Sequence, residues 1–189
     1  AVQEQLDALQ VEQRPALQAA LVLTDSDSGE VRALVGDRDG AARLVRDAWR
    51  SDELSERSEE DSYEAFRDLL GAADHRARMD KRLGAKDYGA ARRAAKRLGS
   101  DELLIVKACA AVNGKANKAK DYLDDVPAEA RHDLGYTLCR AQWHLQKERI
   151  DDAAQVILAA EPATMAQQDT DAWWRERRLL ARRLLDQGR

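Results

Sequence analysis

The side chains in this sequence best suited to chemistry are three histidines, two cysteines, four tryptophans and several adjacent carboxylates. His75, His132 and His144 form no H-E-x-x-H pair on one helix face, and Cys109 and Cys139 are not in C-x-x-C spacing. Neither zinc pattern is present, so no metal is expected. Both cysteines fall in apolar helical stretches, which favours buried free thiols over a disulfide. Glu59 with Glu60, Asp124 with Asp125 and Asp151 with Asp152 are candidates for acid and base work. Glycosidic chemistry needs two carboxyls facing each other across a cleft, whereas consecutive helical residues point about 100° apart. Solvated surface or first-turn charge is the expectation for these pairs. Trp143, Trp173 and Trp174 lie at helical spacing among leucines and are expected in the core rather than stacked on sugars. There is no glycine-rich loop to cradle a phosphate and no G-x-S-x-G elbow. No catalytic residue, cofactor or nucleotide is expected.

Charge is the one strongly patterned feature. A formal net charge of -4 conceals segments of opposite sign. Residues 1–75 carry 8 basic and 18 acidic side chains, residues 76–120 carry 13 and 4, residues 121–171 carry 4 and 11, and residues 172–189 carry 6 and 2. Arg92, Arg93, Lys96, Arg97, Lys115 and Lys118 make up the core of the first basic segment and are the candidate contacts for an anionic ligand. Pairing with acidic neighbours in the fold is the competing reading of the same charges. Nucleic acid is not expected as a partner, because no aromatic residues are interleaved with the basic run.

The elements that must position these residues are helices. Charged residues make up 35% of the chain and mean hydropathy is -0.65, yet one Phe and three Pro among abundant Ala, Leu, Arg and Glu favour helix over sheet. No apolar run approaches the roughly 20 residues of a membrane span, and the first residues lack the basic and apolar regions of a signal peptide. From residue 74 onward periodic segments alternate with short breaks. Tyr88, Ala91, Ala95 and Leu98 share one face, Gly99 supplies a stop and Ser100 a cap for the next helix. Leu103 to Val112 contains only Lys107 as a charged residue and predicts an inner helix covered on several sides. Ala116, Ala119, Tyr122 and Leu123 follow; then Leu134, Leu138, Ala141 and Leu145; then Ile150, Ala153, Ala154, Ile157 and Leu158; and a last helix starts near Thr170.

The small residues near Ala91, Ala119 and Ala154 recur at separations of 28 and 35 residues. That period fits helix-pair repeats, too irregular for a consensus array. The fold class predicted is all-α: an α-solenoid or superhelix of antiparallel helix pairs, tetratricopeptide-like but irregular, as a single domain over 1–189. In the first third, Val2 to Gln13, Ala16 to Leu23, Glu30 to Val35 and Ala41 to Trp49 each predict a short helix. Ser55 to Gly71 predicts another, capped at Ser58, with Tyr63, Phe66 and Leu70 inward.

Three stretches together resemble the N-terminal helical superhelix of soluble lytic murein transglycosylases. They are ADHRARMDKRLGAKDYGAARRAAKRL (73–98), DLGYTLCRAQWHLQKERIDDAAQVILAAEP (133–162) and DAWWRERRLLARRLLDQG (171–188), and their order and spacing agree with that family. The resemblance spans roughly 31–188. It implies a periplasmic, non-catalytic, U-shaped or ring-forming module whose partners are peptidoglycan glycan strands and the protein's own C-terminal lysozyme-like domain. In that family a glutamate of a Glu-Ser dipeptide in the lysozyme-like domain cleaves between N-acetylmuramic acid and N-acetylglucosamine. This chain has no Glu-Ser dipeptide and no Gly-Leu-Met-Gln segment, so no catalytic residue carries over. The resemblance therefore implies a portion of such an enzyme or a stand-alone relative, with the six basic residues above as candidate glycan contacts. A tetratricopeptide-like adaptor that binds protein in its concave face is the alternative.

Overall fold

A computed structural model describes residues 21–24, 31–35, 38–160 and 170–188. The chain divides into two compact units, 1–69 and 70–189, where the sequence reading expects one domain; each is described by itself.

In the first unit, β1 (Leu21–Thr24) pairs antiparallel with β2 (Val31–Val35), Leu21 opposite Val35, with a register shift between Leu23 and Thr24. Of the helices expected at Ala16 to Leu23 and Glu30 to Val35, the described residues, 21–23 and 31–35, are extended and paired instead. Both runs are short and rich in Val and Leu, and the sequence between them, DSDSGE, is turn-forming, so extended pairing wins over marginal one-turn helices. The helix expected at Val2 to Gln13 lies outside the described residues. Helix α1 (Arg38–Ser51) buries Ala41, Ala42, Val45 and Trp49. Helix α2 (Glu56–Phe66) is capped by Ser55, whose hydroxyl accepts from the Ser58 amide at 3.1 Å, so the cap falls three residues before the one expected. Trp49 and Tyr63 bring α1 and α2 together, ring centroids 6.0 Å apart.

The second unit is helical throughout its described residues: α3 (Ala72–Gly84), α4 (Tyr88–Lys96), α5 (Ser100–Asn113), α6 (Ala119–Asp124), α7 (Leu134–Gln146), α8 (Ile150–Ala159) and α9 (Thr170–Asp186). The all-α fold holds, and each helix packs on its chain neighbours, α5 also on α7 and α9 on α7. The core is correspondingly divided. Met79, Ala91, Ala94, Ala95 and Val106 join α3, α4 and α5. Ile105, Cys109, Leu123, Tyr136 and Trp143 join α5, α6 and α7, while Ala141, Ile157, Trp173 and Leu180 join α7, α8 and α9. Stability passed from neighbour to neighbour in this way is the physical signature of a solenoid.

The turn inside each pair repeats more faithfully than the sequence does. Lys86, Lys115 and Glu148 have φ of 62°, 51° and 56°, and they are the described non-glycine residues in that region. The residue after each donates its amide five residues back, Asp87 to Arg82, Ala116 to Ala111 and Arg149 to His144, at 2.9–3.0 Å. These are Schellman motifs with a lysine or glutamate where glycine is usual. Lys115→Gly should therefore stabilise the protein by about 0.5–1 kcal/mol, relief of left-handed strain outweighing glycine's entropy, read as a higher urea midpoint. From each turn, four or five residues on, a buried alanine (Ala91, Ala119 or Ala153) lets the second helix approach closely. One boundary moves from expectation: Gly99 occupies the N-cap of α5 and Ser100 its first turn.

The free thiols expected are instead a disulfide. Cys109 of α5 and Cys139 of α7 are bonded, Cα atoms 5.3 Å apart, buried in the middle core cluster. A separation of 30 residues hides this in the sequence. The two helices become neighbours only after α6 folds back between them in the chain.

Candidate functional site

The six basic residues differ in exposure and fall on two segments, α4 with its C-terminal end and the turn after α5. On α4, Arg92 and Lys96 are exposed, whereas Arg93 and Arg97 are partly buried and Arg97 donates to the Arg93 carbonyl at 3.2 Å. Lys115 and Lys118 are exposed in the α5–α6 turn. In the chain, helix α5, 14 residues long, lies between the two groups.

A groove that the sequence did not point to runs between α3, the start of α4, α7 and α9. Its polar lining comes from Asp80, Lys86, Tyr88, Gln142, Arg175 and Glu176, over a floor that includes Gly135 and Trp173. Gln142 donates its side-chain amide to Glu176 at 2.9 Å. Burial raises the Tyr88 pKa above its ordinary 10.0, so the phenol remains a neutral donor at physiological pH. At Gly135 a Cβ would lie 3.3 Å from the Leu83 side chain and 3.1 Å from the Asp133 carboxylate. The glycine permits this approach of α7 to α3.

Beside the groove, Arg76 of α3 pairs with both Glu102 of α5 and Asp133, the latter at 2.8 Å, tying three helix starts together. Asp133 also caps α7, accepting from the Tyr136 amide at 2.9 Å. Asp133→Ala should cost about 1–2 kcal/mol through loss of the cap and the partly buried ion pair, and Asp133→Asn, which keeps the cap, should cost less in urea denaturation.

The other candidates resolve by burial. Trp143 and Trp173 are core, as expected, but Trp174 is 64% exposed, a correction: it sits one residue, about 100°, from the buried Trp173. Glu59 is likewise not solvated; it is fully buried while Glu60 is exposed. Asp124, Asp125 and Asp151 are exposed. Among the described residues no three of His, Cys, Asp and Glu gather as a metal site, and no helix is long and apolar enough to cross a membrane.

His144 is buried against Trp143, ring centroids 4.9 Å apart, with Asp152 3.6 Å from Nδ1. Desolvation lowers its pKa below 6.5; Asp152 opposes this, and Arg140 and Arg149 reinforce it. The unfolded chain therefore binds the proton more tightly. Stability should be complete above pH 6.5 and decline as pH falls below it, and His144→Gln should remove that part of the pH dependence in thermal melts.

No protein family, curated protein or solved structure matches this chain. What the fold itself defines is the class: an α-solenoid of helix pairs carrying a polar groove and basic residues on two segments.

Proposed function

We propose that the chain is a non-catalytic scaffold module of a soluble lytic transglycosylase acting on peptidoglycan, holding that enzyme's catalytic domain and guiding glycan strands to it. The observation that carries this reading is the placement of the three family-like stretches. In chain order they fall on α3–α4, α7–α8 and α9, with α5 and α6 between the first and the second. A periplasmic setting has support from the Cys109–Cys139 disulfide, since such bonds persist in oxidising compartments. The exposed cations Arg92 and Lys96 on α4 and Lys115 and Lys118 in the α5–α6 turn supply attraction for an anionic strand.

Two measurements test it. Purified sacculi should retain the chain at low salt, and changing those four residues to glutamine should weaken retention; unchanged retention removes the glycan-guiding role. The natural reading frame should encode a lysozyme-like domain with a Glu-Ser dipeptide. Without that domain the tetratricopeptide-like adaptor is preferred, its partner lying in the groove of Tyr88, Gln142 and Glu176.

A further inference from the structure

Helix α9 is anchored by one face and carries an exposed apolar stripe beside it. Trp173 and Leu180 are 3% and 6% exposed, with Leu184 packed beside them. About 100° round the helix from these, Trp174 is 64% exposed and Leu185 72%. Trp174, Arg178, Ala181 and Leu185 follow i, i+4, i+7, i+11, and this alternation of four and three is the seam of a helix that packs against another helix. Arg175 and Arg182 lie along one edge of that seam and Arg177 along the other. All four arginines are exposed and, among the described residues, none forms an ion pair.

We propose that this stripe is a docking surface for an acidic amphipathic helix of another protein, with apolar side chains at the seam and Asp or Glu along its flanks. The cations at the edges stand where flanking charges select a partner helix, and four of one sign reject a basic one. Arg178, inside the seam, would meet a carboxylate where a purely apolar partner would leave it unpaired. A lipid surface fits less well. An interfacial helix needs a broad apolar face, and here an arginine divides a narrow one while buried Trp173 and Leu180 prevent α9 from rolling. Among the described residues a second copy offers less: its acidic helix α2 exposes Glu56, Glu60, Asp61 and Glu64 but only Ala65 as an apolar side chain, and its α8 exposes Leu158 with Asp151 as its one exposed carboxylate. This surface is independent of any role in cell-wall chemistry.

The probes are two synthetic helical peptides with leucine at the seam except opposite Arg178, one carrying glutamate there and along its flanks and one carrying lysine at the same positions, titrated into the full chain. The glutamate peptide should bind, the lysine peptide should not, and binding should weaken several-fold on raising salt from about 0.05 to 0.5 M. Trp174→Ala with Leu185→Ser should weaken it about tenfold or more. Both positions are exposed, so circular dichroism and the melting temperature should stay unchanged. Equal binding of the two peptides, or binding of neither, overturns the proposal. So does a preference for phosphatidylglycerol vesicles, which assigns the stripe to a membrane, or self-association abolished by Leu185→Ser, which assigns it to a second copy.

Discussion

Replacing Cys109 and Cys139 together by alanine is expected to lower the stability of the helical unit by about 3–4 kcal/mol. The bond closes a loop of 30 residues, and removing it returns that loop's closure entropy to the unfolded chain. Its position magnifies the consequence. Cys109 lies in α5 and Cys139 in α7, which belong to successive helix pairs, and a solenoid has no common centre to hold those pairs if their mutual interface weakens. A stability of this kind is only about 5–15 kcal/mol in total, so the loss is a large share of it. Urea denaturation of the oxidised protein, the reduced protein and the double variant checks the prediction. The last two should agree within about 1 kcal/mol, because burial of two small thiols changes little; a loss under about 1 kcal/mol would show that helix packing alone fixes α5 on α7.

Trp173→Ala is expected to be as severe, about 3–5 kcal/mol, but local in its reach. The indole fills the junction of α7, α8 and α9 with Ala141, Ile157 and Leu180, and α9 has few other anchors. The cavity left behind cannot be closed by small neighbours such as Ala141 and Ala153 without moving whole helices. Because contacts run from neighbour to neighbour, α9 should detach while the clusters around Met79 and Cys109 persist. Amide hydrogen exchange should accordingly speed up across 170–186 and remain slow in α4 and α5. Uniform acceleration through the unit would mean that the helices unfold as one cooperative block.

How much of this was legible depends on whether a feature is local. The apolar rows Leu134, Leu138, Ala141, Leu145 and Ile150, Ala153, Ile157 predict α7 and α8 in place, because a 3.6-residue period and a short Lys147–Glu148 break are properties of adjacent residues. The inner position of α5 was equally visible, since a helix apolar nearly all round must be covered on several sides, and Ile105, Val106, Ala108, Cys109 and Val112 are buried while Lys107 is exposed. The first third misled where residues of helix and strand vocabulary mix: Leu21 to Thr24 and Val31 to Val35 are too short for period to arbitrate, and their pairing is a contact between segments. The groove was missed because its polar residues come from four helices and share no spacing.

The sequence by itself determined that this is a chain of amphipathic helices in pairs, with alanines where helices meet and charges in alternating blocks, since each follows from residue type and helical period. Tertiary structure alone decided that Cys109 meets Cys139, that Glu59 is buried, and that Trp174 faces solvent beside a buried Trp173. Each of these turns on which face a neighbouring helix covers. That choice is set by the stacking of pairs distant in the chain, and no single helix carries the information to make it.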